Sequence, residues 1–521
     1  MNESGIDPHI ARQSGGLTID DLFRQSVAAF PNAVALANQT RAIRYAELNE
    51  RVNRLVQALA SKGVAAGDRV AVLSENRLEY VELELAAAKL GAILACQNWR
   101  QADAELSHCI GLVGPKLIFV SERYVETLAR IGCDVAFVVF GEPYERILAT
   151  ADPREPPQIT AAEDGVIILY TSGTTGLPKG ALISHRAMIA RSIIARADFG
   201  MDPRRTFIAW APLFHMVSTD SVYATLMGGG KVVVMDGLDV QELVEWTTRE
   251  SIGHLTLMPG MIDRVIEEIH RSGAKAKGMI SLGCMADLVP RHQIAEITTL
   301  LQAPFRNSFG STETGSPPAS KGAVPIGTVA DKLSKVQNSF CRIRLVDEED
   351  CDVPDGEPGE LAFRGPSLFS GYWRAPESNA HDFRGGFFHM GDVFVRNPDR
   401  TLDFVDRRKY LIKSGGENIY PAEIENALRA SARIAEAVVV RKPDPRWGEV
   451  PVAFVVRLDE TLTREDVIAA CRGKIANYKL PKDVIFVADA DLPRSATGKV
   501  KRHELESALK STEGVRTTTA A

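Results

Sequence analysis

From Leu17 to about Lys332, short apolar runs alternate with longer stretches whose apolar residues recur at three- and four-residue spacing. The runs "DRVAVL" (Asp68–Leu73), "KLIFV" (Lys116–Val120), "DVAFVVF" (Asp134–Phe140), "VIILY" (Val166–Tyr170) and "KVVVM" (Lys231–Met235) are rich in Val and Ile. Such runs, separated by helical stretches, predict strands of a mainly parallel, helix-covered sheet. "YVELELAAAKLGAI" (Tyr80–Ile93) and "MIDRVIEEIHRSG" (Met261–Gly273) predict helices closed by glycine.

Between Phe340 and Phe404 the texture changes to short strands broken by turns, as in "CRIRLVDEEDCDVPDGEPGELAFRG", with "DEED" expected at a solvated hairpin tip. After "DFVDRRKYLIKSGGENIYPAEIE" (Asp403–Glu425) the alternation becomes compact: "AEAVVV", "VPVAFVV", a helix at "TREDVIAACRGKI", a strand at "KDVIFV" and a last helix near "KRHELESALK". The predicted fold is therefore α/β: a large amino-terminal region, 1–408, with a β-rich subdomain at about 338–406, and a small α+β domain, 409–521. The small, polar tail 511–521 is expected to be disordered.

Composition narrows the function. At 521 residues several domains are expected, and a formal net charge of -6 argues against a nucleic-acid-binding surface. Small-molecule partners are expected instead. The seven cysteines are scattered and never form C-x-x-C, which predicts reduced thiols rather than a zinc site or a disulfide framework. The first residues lack a basic start followed by an apolar core, and no apolar run reaches membrane-spanning length, so a cytoplasmic location is expected.

Directly after "VIIL" the chain reads "YTSGTTGLPKG" (Tyr170–Gly180). A strand emptying into glycines, hydroxyls and one ammonium suits a polyphosphate cradle. It is not an ordinary P-loop, because Gly173 and Gly176 are too close together and Lys179 is followed by Gly180. Taken alone, it could also be a surface turn.

Other stretches decide between these readings: "APLFHM" with His215, "NSFGSTETG" with Glu313, "FFHMGD" with Asp392, "DRRKYLIKSGGENIYP" with Arg407, and "LPRSATGKVKR" with Lys499. In this order they resemble the signature set of the adenylate-forming superfamily: acyl-CoA synthetases, peptide-synthetase adenylation domains and beetle luciferases. The resemblance spans roughly residues 20–508.

It implies that Thr171, Ser172, Gly173, Thr174, Thr175, Gly176 and Lys179 surround the β- and γ-phosphates of ATP. It further implies Thr312 on the α-phosphate, Glu313 on Mg²⁺, and Asp392 and Arg407 on the ribose hydroxyls. Lys499 would touch both the substrate carboxylate and the α-phosphate, and His215 would shape the acyl site. Gly415 and Gly416 would line the path of the pantetheine arm, and Lys409 would be the hinge of the small domain. The chemistry wants these residue types, since joining two anions requires cations and N–H donors where charge builds up. Each residue alone also has a plainer reading: a core histidine for His215, an Asx turn for Asp392, a capping partner for Glu313, a solvated charge for Lys499.

The resemblance implies an acid–thiol ligase using ATP, Mg²⁺, coenzyme A and a carboxylic acid, with a homodimer compatible. The residues expected at the acyl pocket are Met216, Val217, Met258, Cys284, Ser308, Phe309 and Gly310, with Asp220 and Met285 nearby. Their mainly apolar, flexible character suits a hydrophobic fatty or aromatic acid. Ser308 stands where malonate-activating relatives carry arginine. Other departures are Met390 for a common threonine, Tyr410 for an acidic residue, Phe309 for tyrosine, and the bulky Cys284 and Met285. Two alternatives stay open: an adenylating enzyme that loads a carrier-protein pantetheine, and a non-catalytic binder of nucleotide or acyl groups.

Overall fold

A computed structural model describes residues 7, 10, 14–171, 177–202, 204–414, 417–494 and 500–517. Two parallel-rich sheets organise the first part of the chain. The six-stranded sheet runs Phe137–Val139, Leu117–Val120, Arg69–Leu73, Ile93–Cys96, Gly165–Thr171 and Lys179–Ser184, parallel except for its last pair. The eight-stranded sheet runs Ala323–Val324, Phe305–Asn307, Met279–Cys284, Ile252–Thr256, Thr206–Ala209, Lys231–Val234, Val34–Ala37 and Ala42–Arg44, with antiparallel strands only at its two margins. The predicted Val- and Ile-rich runs are all strands here; those inside the sheets are buried on both faces, while the edge strand Phe137–Val139 keeps Phe137 exposed.

The predicted helices occupy Leu78–Leu90 and Ile262–Ser272, each stopped by a left-handed glycine, Gly91 and Gly273. The first ends earlier than its apolar pattern suggests, and Ile93 opens the strand Ile93–Cys96. Leu78–Leu90 is buried on every face, since it packs against the helices Ile19–Ala29 and Tyr45–Ser61 and against the strands Ile93–Cys96 and Gly165–Thr171. Its buried Glu82 is met by Arg51, with Nε 2.6 Å from Oε1, which offsets the desolvation of both charges.

Contacts divide the described chain into two compact units, one from Met1–Ile343 with Phe363–Phe388 and one from Arg344–Ala362 with His389–Ala521. A four-stranded sheet runs Arg342–Val346, Pro358–Arg364, Phe388–Arg396 and Leu402–Arg407. The carboxyl-terminal sheet is built on the long antiparallel pair Ile434–Asp444 and Gly448–Arg457. Along that pair the side chains alternate: Ala437, Val439, Ala453 and Val455 enter one apolar cluster, and Val438, Val440, Val452 and Phe454 enter another. Both faces are covered, so the sequence reads as an unbroken apolar run. The last helix runs Arg502–Thr517, into the stretch whose composition predicts disorder.

Candidate active site

The eight-stranded sheet gathers by topology the residues expected at the acyl pocket. His215, Met216 and Val217 follow the strand Thr206–Ala209, Met258 follows Ile252–Thr256, Cys284 ends Met279–Cys284, and Ser308, Phe309 and Gly310 follow Phe305–Asn307. Those four strands are sheet neighbours. Their carboxyl ends form one edge, where open α/β sheets place ligands. Backbone bonds tie the row together: Ser308 N donates to Cys284 O at 3.0 Å. Burial pushes the Cys284 thiol up to about 12, so it stays a neutral thiol.

His215 is not the core histidine that its apolar approach suggests. It is half-buried and stands at the N-cap of the helix Met216–Leu226, because the chain must turn from strand to helix there. On that helix Met216, Val217, Asp220 and Ser221 share the half-buried face, while Ser218, Thr219 and Val222 are buried.

The six-stranded sheet supplies the hairpin whose loop carries the phosphate-cradle sequence. Thr171 and Lys179 lie directly opposite each other across the antiparallel ladder, so both ends of that loop are anchored. Ser172, Gly173, Thr174, Thr175 and Gly176 lie outside the described residues. Lys179 Nζ sits 4.8 Å from the centre of the Tyr372 ring and 4.0 Å from Asp382 Oδ2. An ammonium over an aromatic face is favourable.

Tyr372 joins that cation to the expected metal ligand. Its hydroxyl donates to Glu313 Oε1 at 2.7 Å, and Glu313 itself is only 9% exposed. Tyr372 is held by Asn379, whose Oδ1 accepts from Tyr372 N at 2.7 Å and whose Nδ2 donates to Tyr372 O at 2.9 Å. Asn379 and Asp382 both lie on the short helix Pro376–Asp382. Sequence reasoning missed this group. The only local signal, Gly-Tyr before a proline-led helix in "GYWRAPESNA", announces a turn and not its partner.

Whether this site suits Mg²⁺ can be judged from its donors. Among the described residues no three His, Cys, Asp or Glu side chains cluster as a self-sufficient metal site. Glu313 offers one nearly buried carboxylate, which fits an ion that takes one carboxylate and completes its shell with nucleotide oxygens and water.

In the second unit Asp392 is not in an Asx turn. It lies inside the strand Phe388–Arg396, directly across the ladder from Arg407, with Arg407 Nε 2.9 Å from Asp392 Oδ1. The register of the pair thus brings both expected ribose contacts together. Lys409 follows in a single 3₁₀ turn, Arg408–Tyr410, and burial lowers its ammonium below the usual lysine range. The Tyr410 ring lies 5.0 Å from Lys409 Nζ and 4.6 Å from the Arg502 guanidinium. The aromatic substitution at this position therefore contacts two cations. Gly415, Gly416 and Lys499 lie outside the described residues.

Comparison with known proteins bears on the family of the chain. The AMP-binding enzyme family matches residues 23–373, and the AMP-binding enzyme C-terminal domain matches residues 423–499. The chain is 33% identical to a feruloyl-CoA synthase of Amycolatopsis over 484 residues, covering 91% of this chain and 96% of that protein. It is 34% identical to an indoleacetate–CoA ligase of Aromatoleum aromaticum, covering 91% and 95%. The crystal structure of ATP-bound MatB from Rhodopseudomonas palustris superposes with a TM-score of 0.81 at 26% identity, covering 95% of this chain and 99% of that one. Motif order, fold and these likenesses agree that the chain belongs to the AMP-binding enzyme family of the adenylate-forming superfamily and is an AMP-forming acid–thiol ligase.

Proposed function

We propose that the chain activates a hydrophobic carboxylic acid, fatty or aromatic, and delivers it to coenzyme A. A carboxylate oxygen bonds to the α-phosphorus of ATP as the bond to pyrophosphate breaks. The thiol of coenzyme A then attacks the acyl carbonyl, loses its proton, and expels AMP to leave the thioester. The observation that carries this reading is the group Lys179–Tyr372–Glu313, which places a cation and a carboxylate on one tyrosine beside the anchored loop. An ammonium there answers the charge of the leaving pyrophosphate, and the carboxylate suits a magnesium–nucleotide complex.

The apolar row from Met216 to Phe309 supports a hydrophobic acid, and the aromatic acids in the names of the two relatives support the aromatic branch of that class. Asp392 and Arg407 take the ribose hydroxyls in this reading, where a carboxylate can accept from both. Lys499 carries the cation into the first half-reaction, and a swing of the carboxyl-terminal domain about Lys409 withdraws it for the second, along a path lined by Gly415 and Gly416. The enzyme would work in the cytoplasm.

The test is an assay of the purified chain with Mg²⁺-ATP and a panel of short, medium, long-chain and aromatic acids, with and without coenzyme A, read by mass spectrometry. The expected result is a coenzyme A-dependent thioester from one apolar class. Acyl-AMP that accumulates with coenzyme A present would assign the acyl group to a carrier protein instead, and silence across the panel would overturn the reading.

A further inference from the structure

Arg191, on the helix His185–Phe199, is a buried arginine whose side chain is 2% exposed. Its guanidinium faces three directions. Nη1 meets Asp220 Oδ1 at 3.0 Å and Oδ2 at 3.3 Å, Nη2 donates to Thr312 O at 2.9 Å, and Nε donates to Ser367 O at 3.1 Å. The segment it holds is also held from the other side, since Phe369 N donates to Glu313 O at 2.8 Å. The fit is close: a Cβ on Gly315, whose φ is +75°, would come within 2.7 Å of Arg191 Cγ and Cδ.

A buried guanidinium is costly, and an apolar side chain of similar length would fill the same volume more cheaply. What the fork adds is geometry, because planar, fixed donors define the positions of two carbonyls and one carboxylate at once. Asp220, its counter-charge, lies on the half-buried face of the acyl helix with Met216 and Val217. The pair therefore connects the wall of the acyl pocket to the backbone of Thr312 and Glu313.

We propose that Arg191, anchored by Asp220, is a positioning residue for acyl-adenylate formation: it sets the Thr312–Glu313 segment in register with the acid in the pocket. This rests on the adenylation reading above. Arg191 touches neither substrate nor nucleotide in this role, so its loss acts through the placement of Glu313.

The experiment measures pyrophosphate release by the full chain with an acid that it activates, titrating Mg²⁺ and the acid separately, for wild type, Arg191→Met, Arg191→Lys and Asp220→Asn. Arg191→Met is expected to lower kcat and to raise the Mg²⁺ concentration at half-maximal rate, each by about tenfold or more, as misplacement by a fraction of an ångström does. The KM for the acid should stay within about twofold. Arg191→Lys keeps the charge without the fork and should fall between. If Arg191→Met does not fold, Arg191→Lys and Asp220→Asn decide by the same two readouts. Wild-type Mg²⁺ dependence and rate per folded molecule in the variants overturn the proposal, and so does a change confined to the KM for the acid. A wild-type chain that forms no acyl-AMP overturns the adenylation reading; the clamp is then judged by calorimetry of Mg²⁺-ATP binding, where equal affinity of wild type and Arg191→Lys overturns it.

Discussion

The hydroxyl of Tyr372 donates to Glu313 Oε1 at 2.7 Å, while the face of the same ring carries Lys179. One side chain thus orients a carboxylate through its edge and a cation through its face. Tyr372→Phe removes the first interaction and keeps the second. The expected outcome is a drop in acyl-adenylate formation of about tenfold with a raised Mg²⁺ requirement, since the carboxylate loses the donor that orients it. Stopped-flow pyrophosphate release across a Mg²⁺ series checks this, and unchanged Mg²⁺ dependence would remove Tyr372 from the site.

Asp392 and Arg407 face each other across a strand pair, with the carboxylate buried and the arginine side chain partly exposed. Asp392→Asn keeps the shape and halves the acceptor capacity. The KM for ATP should rise by about tenfold, and the KM for the acid should hardly move, because in the proposed reading the lost contacts belong to the nucleotide. Steady-state kinetics with each substrate varied in turn separate the two.

Gly310 is required by close approach. A Cβ there would lie 2.0 Å from Gly315 O and 2.9 Å from Ser316 O, both backbone atoms that cannot step aside cheaply. Gly310→Ala should therefore cost several kcal/mol, of order 3, and spoil the turn that presents Thr312 and Glu313. Thermal unfolding of the purified variant tests the first claim; a midpoint within a degree of wild type would refute it.

Two histidines, the buried His185 and the half-buried His254, predict the acid side of the stability profile. Burial pushes His185 down to about 4 and His254 down to about 3, so both stay neutral in the folded protein where the unfolded chain takes up protons. His185 Nδ1 accepts from Ile19 N at 3.1 Å, a bond that protonation would break. Stability is then full above pH 6.5 and falls as pH drops towards 4, by about 2 kcal/mol for each histidine at pH 5. Unfolding at pH 7 and pH 5 should show the loss, and His185→Asn should show less of it.

Much of this protein is legible in its sequence because the deciding interactions are local. Strands and helices follow from the spacing of apolar residues, as at Gly165–Thr171 and Ile262–Ser272, and the ordered motifs around Lys179, Glu313, Asp392 and Arg407 identify the family. Where the pattern misleads, neighbours are the reason: Leu78–Leu90, with Glu82, Glu84 and Lys89 among its apolar residues, lies between helices and sheet rather than on a surface, and His215 caps a helix instead of entering the core. Contacts that depend on distant segments could not be read this way. Tyr372 reaches Glu313, 59 residues away, Arg191 reaches Thr312, 121 residues away, and Asp392 meets Arg407 only because the strand register puts them opposite. A hydrogen bond between remote residues leaves no periodic trace in either segment, so chemistry was written in the chain and its geometry was decided by the packing of sheets, turns and helices around it.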